Sequence, residues 1–150
     1  MKPFFKGLRY WEPLVWSSIL FAIAPSAAPA AQGAPSYQNI DQAALQSAIA
    51  RGVHLVDIRT PQEWKQTGVI AGSIRLTAFL DNGQMNPQFI ETFRQHIPSP
   101  DQPVALICRS GRRTQALAQI LSAQLGYKGV LNVTGGIIGW SAQGLPLVKD

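Results

Sequence analysis

The chain has 150 residues, with 13 Lys and Arg, 8 Asp and Glu, and one Cys. That length can bury a core as one domain of ordinary size, and 46% hydrophobic against 14% charged residues excludes a disordered chain. One cysteine excludes an intramolecular disulfide framework, no Cys/His cluster has the spacing of a structural zinc site, and the formal charge of +5 raises nucleic acid or an anionic membrane surface as a partner.

The position of that charge decides the matter. Lys2, Lys6 and Arg9 open the chain, the apolar run Leu14 to Ala24 follows, and Pro25-Ser26-Ala27-Ala28-Pro29-Ala30-Ala31 closes it with small residues. This pattern predicts a secretory signal peptide over residues 1–30, cleaved near Ala31, and therefore an exported, periplasmic or secreted protein. The alternative is a tether by an uncleaved N-terminal segment, but a run of eleven residues falls short of the roughly 20 that span a bilayer. No cysteine is present there to carry a lipoprotein anchor. Without residues 1–30 the charge is ten bases against seven acids, a net of +3, and Arg109, Arg112 and Arg113 all lie within five residues of Cys108. A broad basic face for nucleic acid is not supported, and no stable membrane insertion is expected once the signal is removed.

Residues 31–39, rich in Ala, Gly, Pro and Ser, read as a flexible leader, and residues 40–150 as the folded domain. Asp41 is placed to cap a helix through Leu45 and Ile49 that stops at Gly52. Val53 to Ile58 reads as a short buried strand. Thr60-Pro61-Gln62-Glu63 signals a helix start, with Pro in the first turn, and Gly68 ends that helix. Val69 to Leu76 reads as a second, weaker strand, and Asp81-Asn82-Gly83 as a turn. Asn86-Pro87 opens a helix presenting Phe89, Ile90, Phe93 and Ile97 on one face. Pro103 to Ile107 is the clearest buried strand, followed by Cys108, a glycine loop, and a helix with Ala116, Leu117, Ile120, Leu121 and Leu125 at helical spacing. Val130 to Val133 reads as a strand, Gly135-Gly136 as a turn, and Ile137 to Ala142 as a short helix. Strands alternating with helices make the class α/β with a largely parallel sheet.

The feature able to carry chemistry is Cys108-Arg109-Ser110-Gly111-Arg112-Arg113-Thr114, between a buried strand and a helix. In an open α/β sheet, ligands bind beyond the carboxyl ends of the strands, where Cys108 falls. Successive backbone N–H groups in such a turn cradle an anion, and the same positive environment favours thiolate over thiol. A pKa lower by about 2 would turn a thiol that is only a few per cent ionised at neutral pH into mostly thiolate. A buried cysteine can instead be a small hydrophobe, but three arginines, a serine and a glycine make a poor apolar setting. His54 begins a strand and His96 ends a helix, so neither is placed as a general base, and a thiolate prepared by loop dipoles needs none. The missing second cysteine disfavours a redox role.

The stretch from about Ile40 to Val148 resembles a single rhodanese-like domain of the thiosulfate sulfurtransferase family. Leu55-Val56-Asp57-Ile58-Arg59, Glu63-Trp64 and Gly68-Val69-Ile70-Ala71-Gly72-Ser73-Ile74 resemble the family's first signature. Cys108 to Thr114 resembles its active-site loop, and Gly135-Gly136, Trp140, Gly144 and Pro146 its C-terminal signature. Val69 stands where the family's histidine is usual, and Ser73 where a small residue follows Gly72; both are remote in sequence from the thiol.

The resemblance implies a three-layer fold, a central, mostly parallel sheet flanked by helices. It implies a reaction in which the cysteine takes the outer sulfur of thiosulfate, sulfite leaves, and a nucleophile such as cyanide or a thiol removes the sulfur from the resulting persulfide. Carried over, Cys108 is the nucleophile and persulfide carrier. Arg109, Ser110, Gly111, Arg112, Arg113 and Thr114 form the substrate-binding loop, with Arg112 and Arg113 as candidates for the thiosulfate anion. Asp57, Arg59 and Glu63 are expected to make structural ion pairs, and Trp64 and Trp140 to be core aromatics. No metal or organic cofactor is indicated; a protein sulfur acceptor is a further partner class. A non-catalytic sulfane-sulfur carrier needs the same loop and is the alternative. A cysteine-dependent phosphatase is weaker, because the related phosphatase loop is one residue longer than the six residues from Cys108 to Arg113.

Overall fold

A computed structural model describes residues 36–149; the expected signal peptide and most of the expected leader lie outside the described residues. Five strands, β1 (Gln38–Ile40), β2 (His54–Asp57), β3 (Ile74–Arg75), β4 (Val104–Ile107) and β5 (Val130–Val133), alternate with α1 (Gln42–Ala50), α2 (Pro61–Thr67), α3 (Phe89–His96), α4 (Arg112–Ala123) and α5 (Gly136–Ala142). The strands form one sheet in the order β1-β5-β4-β2-β3. Every pairing in it is parallel, with Val56 against Leu106 and Leu106 against Asn132 across its centre.

Local chemistry accounts for the helices. Asp41 caps α1, its Oδ1 accepting from the Ala44 N–H at 2.8 Å. Thr60 and Glu63 form a reciprocal capping box at α2, with Pro61 at the first turn. In β4 successive side chains face opposite sides of the sheet. Leu106 packs with Phe89 and Phe93 of α3 and Leu117 and Leu121 of α4. Ile107 packs with Leu45 of α1 and Ile137 and Trp140 of α5. The sheet is therefore buried on both faces, and its central strand is apolar throughout, as a parallel strand between two helical layers must be. Trp64 and Trp140 are both buried.

Two stretches differ from the sequence-based expectation. Gln38 and Asn39, read as leader, belong to β1, where they pair with Leu131 and Asn132 of β5; the Asn132 side-chain amide donates to Asn39 Oδ1 at 2.8 Å. Val69 to Leu76 is not a continuous strand. A turn closed by the Ser73 N–H on the Ile70 carbonyl, 3.1 Å, with Gly72 at φ 77°, interrupts it. Only Ile74 and Arg75 join the sheet, and Val69 bridges to Val148 instead.

Candidate active site

Cys108 immediately follows β4 at the carboxyl end of the sheet, and the chain turns through Arg109, Ser110 and Gly111 into α4. Gly111 takes φ 92°, a left-handed conformation that glycine adopts without penalty. A Cβ at this position would meet the Val133 carbonyl oxygen at 3.1 Å and Gly135 N at 3.2 Å. The turn directs the Gly111 N–H at Cys108 Sγ, 3.2 Å away. Thr114 Oγ1 lies 3.5 Å from the same sulfur and donates to the Gly111 carbonyl at 3.0 Å. On the other side of the loop, the Ile137 and Ile138 N–H groups donate to the carbonyls of Cys108 and Arg109, at 2.8 and 3.2 Å.

Cys108 is 1% exposed. Burial by itself pushes its thiol pKa up. The Thr114 hydroxyl and the backbone N–H groups of Thr114, Ser110 and Gly111 together outweigh burial, so the thiol lies below its ordinary value of 9.0. These dipoles favour the thiolate because each hydrogen bond is stronger to the charged sulfur. A thiol donates to Thr114 Oγ1 while that hydroxyl donates to Gly111; a thiolate can accept the hydroxyl proton instead.

Asp57, Arg59 and Glu63 take part in ion pairs, in two linked groups. Arg59, 1% exposed, donates from Nη2 to Asp57 Oδ2 at 2.6 Å and to the Gly68 carbonyl at 2.8 Å, and from Nη1 to Thr67 Oγ1 at 2.6 Å. This buried pair fixes the C-terminal end of α2 against the end of β2. From the first turn of α2, Glu63 receives both terminal nitrogens of Arg113: Nη1 to Oε2 at 2.9 Å and Nη2 to Oε1 at 2.6 Å. Burial pushes the Glu63 pKa up, but the Arg113 fork and the Thr60 N–H bring it below the ordinary carboxylate value. The Arg113 guanidinium is held above its ordinary value, first by Glu63 and further by the neighbouring Cys108 sulfur.

An open cleft of about 770 Å³ lies over this loop. Arg109, Ser110, Arg112 and Arg113 line one side, Thr60, Glu63 and Gln66 another, and Phe79 and Leu80 provide an apolar wall. The structure thus brings together every residue of the predicted loop, but their roles divide. The terminal nitrogens of Arg113 are taken up by Glu63. Arg109 and Arg112 are exposed and make no ion pair among the described residues, leaving their guanidinium groups available to an anion. His54 and His96 are exposed and do not line the cleft. Phe79 and Leu80 were not singled out in the sequence, because nothing in their local pattern reveals that the segment after β3 folds over a loop thirty residues later.

A sequence model of the Rhodanese-like domain matches residues 41–143. The chain is 39% identical over 113 residues to a sulfurtransferase of Allochromatium vinosum, covering 73% of this chain and 94% of that protein. It is 34% identical over 112 residues to the thiosulfate sulfurtransferase GlpE of Vibrio cholerae, covering 74% and 94%. Among solved structures, a rhodanese-related protein of Thermoplasma volcanium superposes with a TM-score of 0.58 at 31% identity, covering 76% of this chain and all of that one. The loop built around Cys108, the parallel sheet that carries it and these relatives agree: the chain belongs to the rhodanese-like domain family of sulfurtransferases.

Proposed function

We propose that the protein transfers sulfane sulfur from thiosulfate, or a similar small anionic donor, to a thiophilic acceptor such as cyanide or a thiol, through a persulfide on Cys108. The observation that carries this reading is the Gly111 N–H directed at Cys108 Sγ from 3.2 Å, within a ring of donors that lowers the thiol pKa. The Cys108 thiolate attacks the outer sulfur of thiosulfate. A new S–S bond forms as the old one breaks, and sulfite leaves with the bonding pair. The acceptor then attacks the outer sulfur of the persulfide, and the Cys108 thiolate departs with its electron pair, restored. Loop N–H groups that stabilise a thiolate equally stabilise the terminal sulfur of a persulfide. Arg109 and Arg112 supply positive charge for the incoming donor and for the departing sulfite.

The test is thiocyanate production from thiosulfate and cyanide by the mature protein beside Cys108→Ser. Turnover that depends on Cys108 is the expected result, and its absence overturns the enzyme reading. A gain of about 32 Da on Cys108 without turnover would instead mark a sulfur carrier.

We further propose that the protein is exported and that its partners are met outside the cytoplasm. The basic start, short apolar run and small-residue exit of residues 1–31 support this. The N-terminal residue of protein recovered from cells is expected near Ala31; an intact Met1 on soluble protein would refute cleavage.

A further inference from the structure

A polar side chain far from the Cys108 loop in sequence connects to it through the start of α5. Gln42, the first residue of α1, is 3% exposed. Its Nε2 donates to the carbonyls of Thr134, at 3.0 Å, and Gly136, at 3.2 Å. With two carbonyls as partners, the amide orientation follows: a flipped oxygen would face two acceptors.

The turn that Gln42 holds is the one that grips the active-site loop. Ile137 and Ile138, next in the chain, donate to the carbonyls of Cys108 and Arg109 at 2.8 and 3.2 Å. All peptide bonds among the described residues are trans, so C=O and N–H of each unit point in opposite directions. Drawing the Arg109 carbonyl toward α5 turns the N–H of the same peptide unit, that of Ser110, the other way, toward the Cys108 sulfur it serves. The approach is close. A Cβ on Gly136 would fall on the Cys108 carbonyl oxygen and within 2.6 Å of the Arg109 carbonyl carbon. Space for the amide is also provided: a Cβ on Gly139 would sit 2.7 Å from Gln42 Nε2.

We propose that Gln42 is a positioning residue for the Cys108 loop: by tethering the Thr134 and Gly136 carbonyls, it holds the start of α5 against the loop and so keeps the loop N–H groups turned toward the sulfur. Gln42 touches neither the sulfur nor the cleft. This rests on Cys108 as the reacting thiol but not on the identity of donor or acceptor.

The experiment is a pH titration of the thiolate by its ultraviolet absorbance in Gln42→Leu and Gly139→Ala, with Cys108→Ser as the blank. Gln42→Leu keeps the bulk and removes the donor. Gly139→Ala keeps Gln42 but forces its amide off the two carbonyls, although alanine is the better helix former. Both are expected to move the midpoint upward, with the thiolate fraction at pH 7 falling by roughly threefold to tenfold. The double variant is expected to match the single ones, because both act through the same two hydrogen bonds. A folded single variant with the parental midpoint, or additive shifts in the double variant, overturns the proposal. If Gln42→Leu does not fold, Gly139→Ala decides alone by the same criterion. A thiocyanate assay run in parallel separates this from the activity reading: no turnover in the parent protein would refute that reading while leaving the titration valid.

Discussion

Arg113 and Glu63 form a fork-to-fork ion pair, with nitrogen–oxygen distances of 2.9 and 2.6 Å, between residues 50 apart in the chain. The pair joins the first turn of α4, which carries the Cys108 loop, to the first turn of α2. Glu63 is itself held by its capping box with Thr60, and α2 is held by the buried Asp57–Arg59 pair. One chain of contacts therefore runs from the end of β2 to the Cys108 loop. A bidentate pair has defined geometry as well as charge, and it fixes Arg113 in a way that a single contact could not.

Glu63→Gln is expected to lower stability by about 1–2 kcal/mol at neutral pH, because the partly exposed pair is worth less than a fully buried one. The pH dependence gives a sharper check. The folded-state pKa of Glu63 lies below its ordinary 4.5. Its contribution is therefore complete above 4.5 and is lost as pH falls through the lower folded value. The parent's Tm should fall more steeply than that of Glu63→Gln over this acid range, and parallel curves would contradict the assignment.

Arg112→Ala and Arg109→Ala are expected to raise the KM for thiosulfate by about threefold to tenfold each with little change in kcat, as loss of anion attraction requires. Arg113→Lys should behave differently. An ammonium cannot span both Glu63 oxygens, so the loop loosens and kcat falls as well. Steady-state kinetics at fixed ionic strength distinguishes the two patterns.

Thr114→Val removes a hydroxyl that serves both Cys108 Sγ and the Gly111 carbonyl, with almost no change in shape. The parent thiol lies below 9.0, and the variant's thiol should lie above the parent's. Alkylation of Cys108 at pH 7 is expected to slow by roughly threefold to tenfold, with the rate recovering at high pH. A uniform fall at every pH would instead indicate restricted access.

Gly136→Ala is expected to abolish most activity and to cost about 2–4 kcal/mol of stability. Its φ of 55° disfavours any side chain, and the added methyl would meet the backbone of Cys108 and Arg109. The opening of the Cys108 loop should appear as faster amide hydrogen exchange at Ile137 and Ile138, whose N–H groups lose their carbonyl acceptors.

Much of this protein is legible in its residues because the relevant physics is local. Asp41, the Thr60–Glu63 box and the glycine turn before α4 set helix starts through contacts three residues apart. The apolar run Val104–Ile107 marks a strand buried on both faces, and Cys108 with its arginines marks the candidate active-site loop. The tertiary structure alone decided the rest. Gln38 and Asn39 have no apolar signature, and they become strand only because β5 offers an unpaired edge. Val69 to Leu76 has strand-like composition, but its turn and the competing partner Val148 leave two residues in the sheet. Likewise, no local rule places Arg113 on Glu63, 50 residues away, or Gln42 on Gly136, 94 residues away. Caps and turns close within a few residues and are written in short patterns; these longer contacts exist only once the parallel sheet has brought distant ends of the chain together.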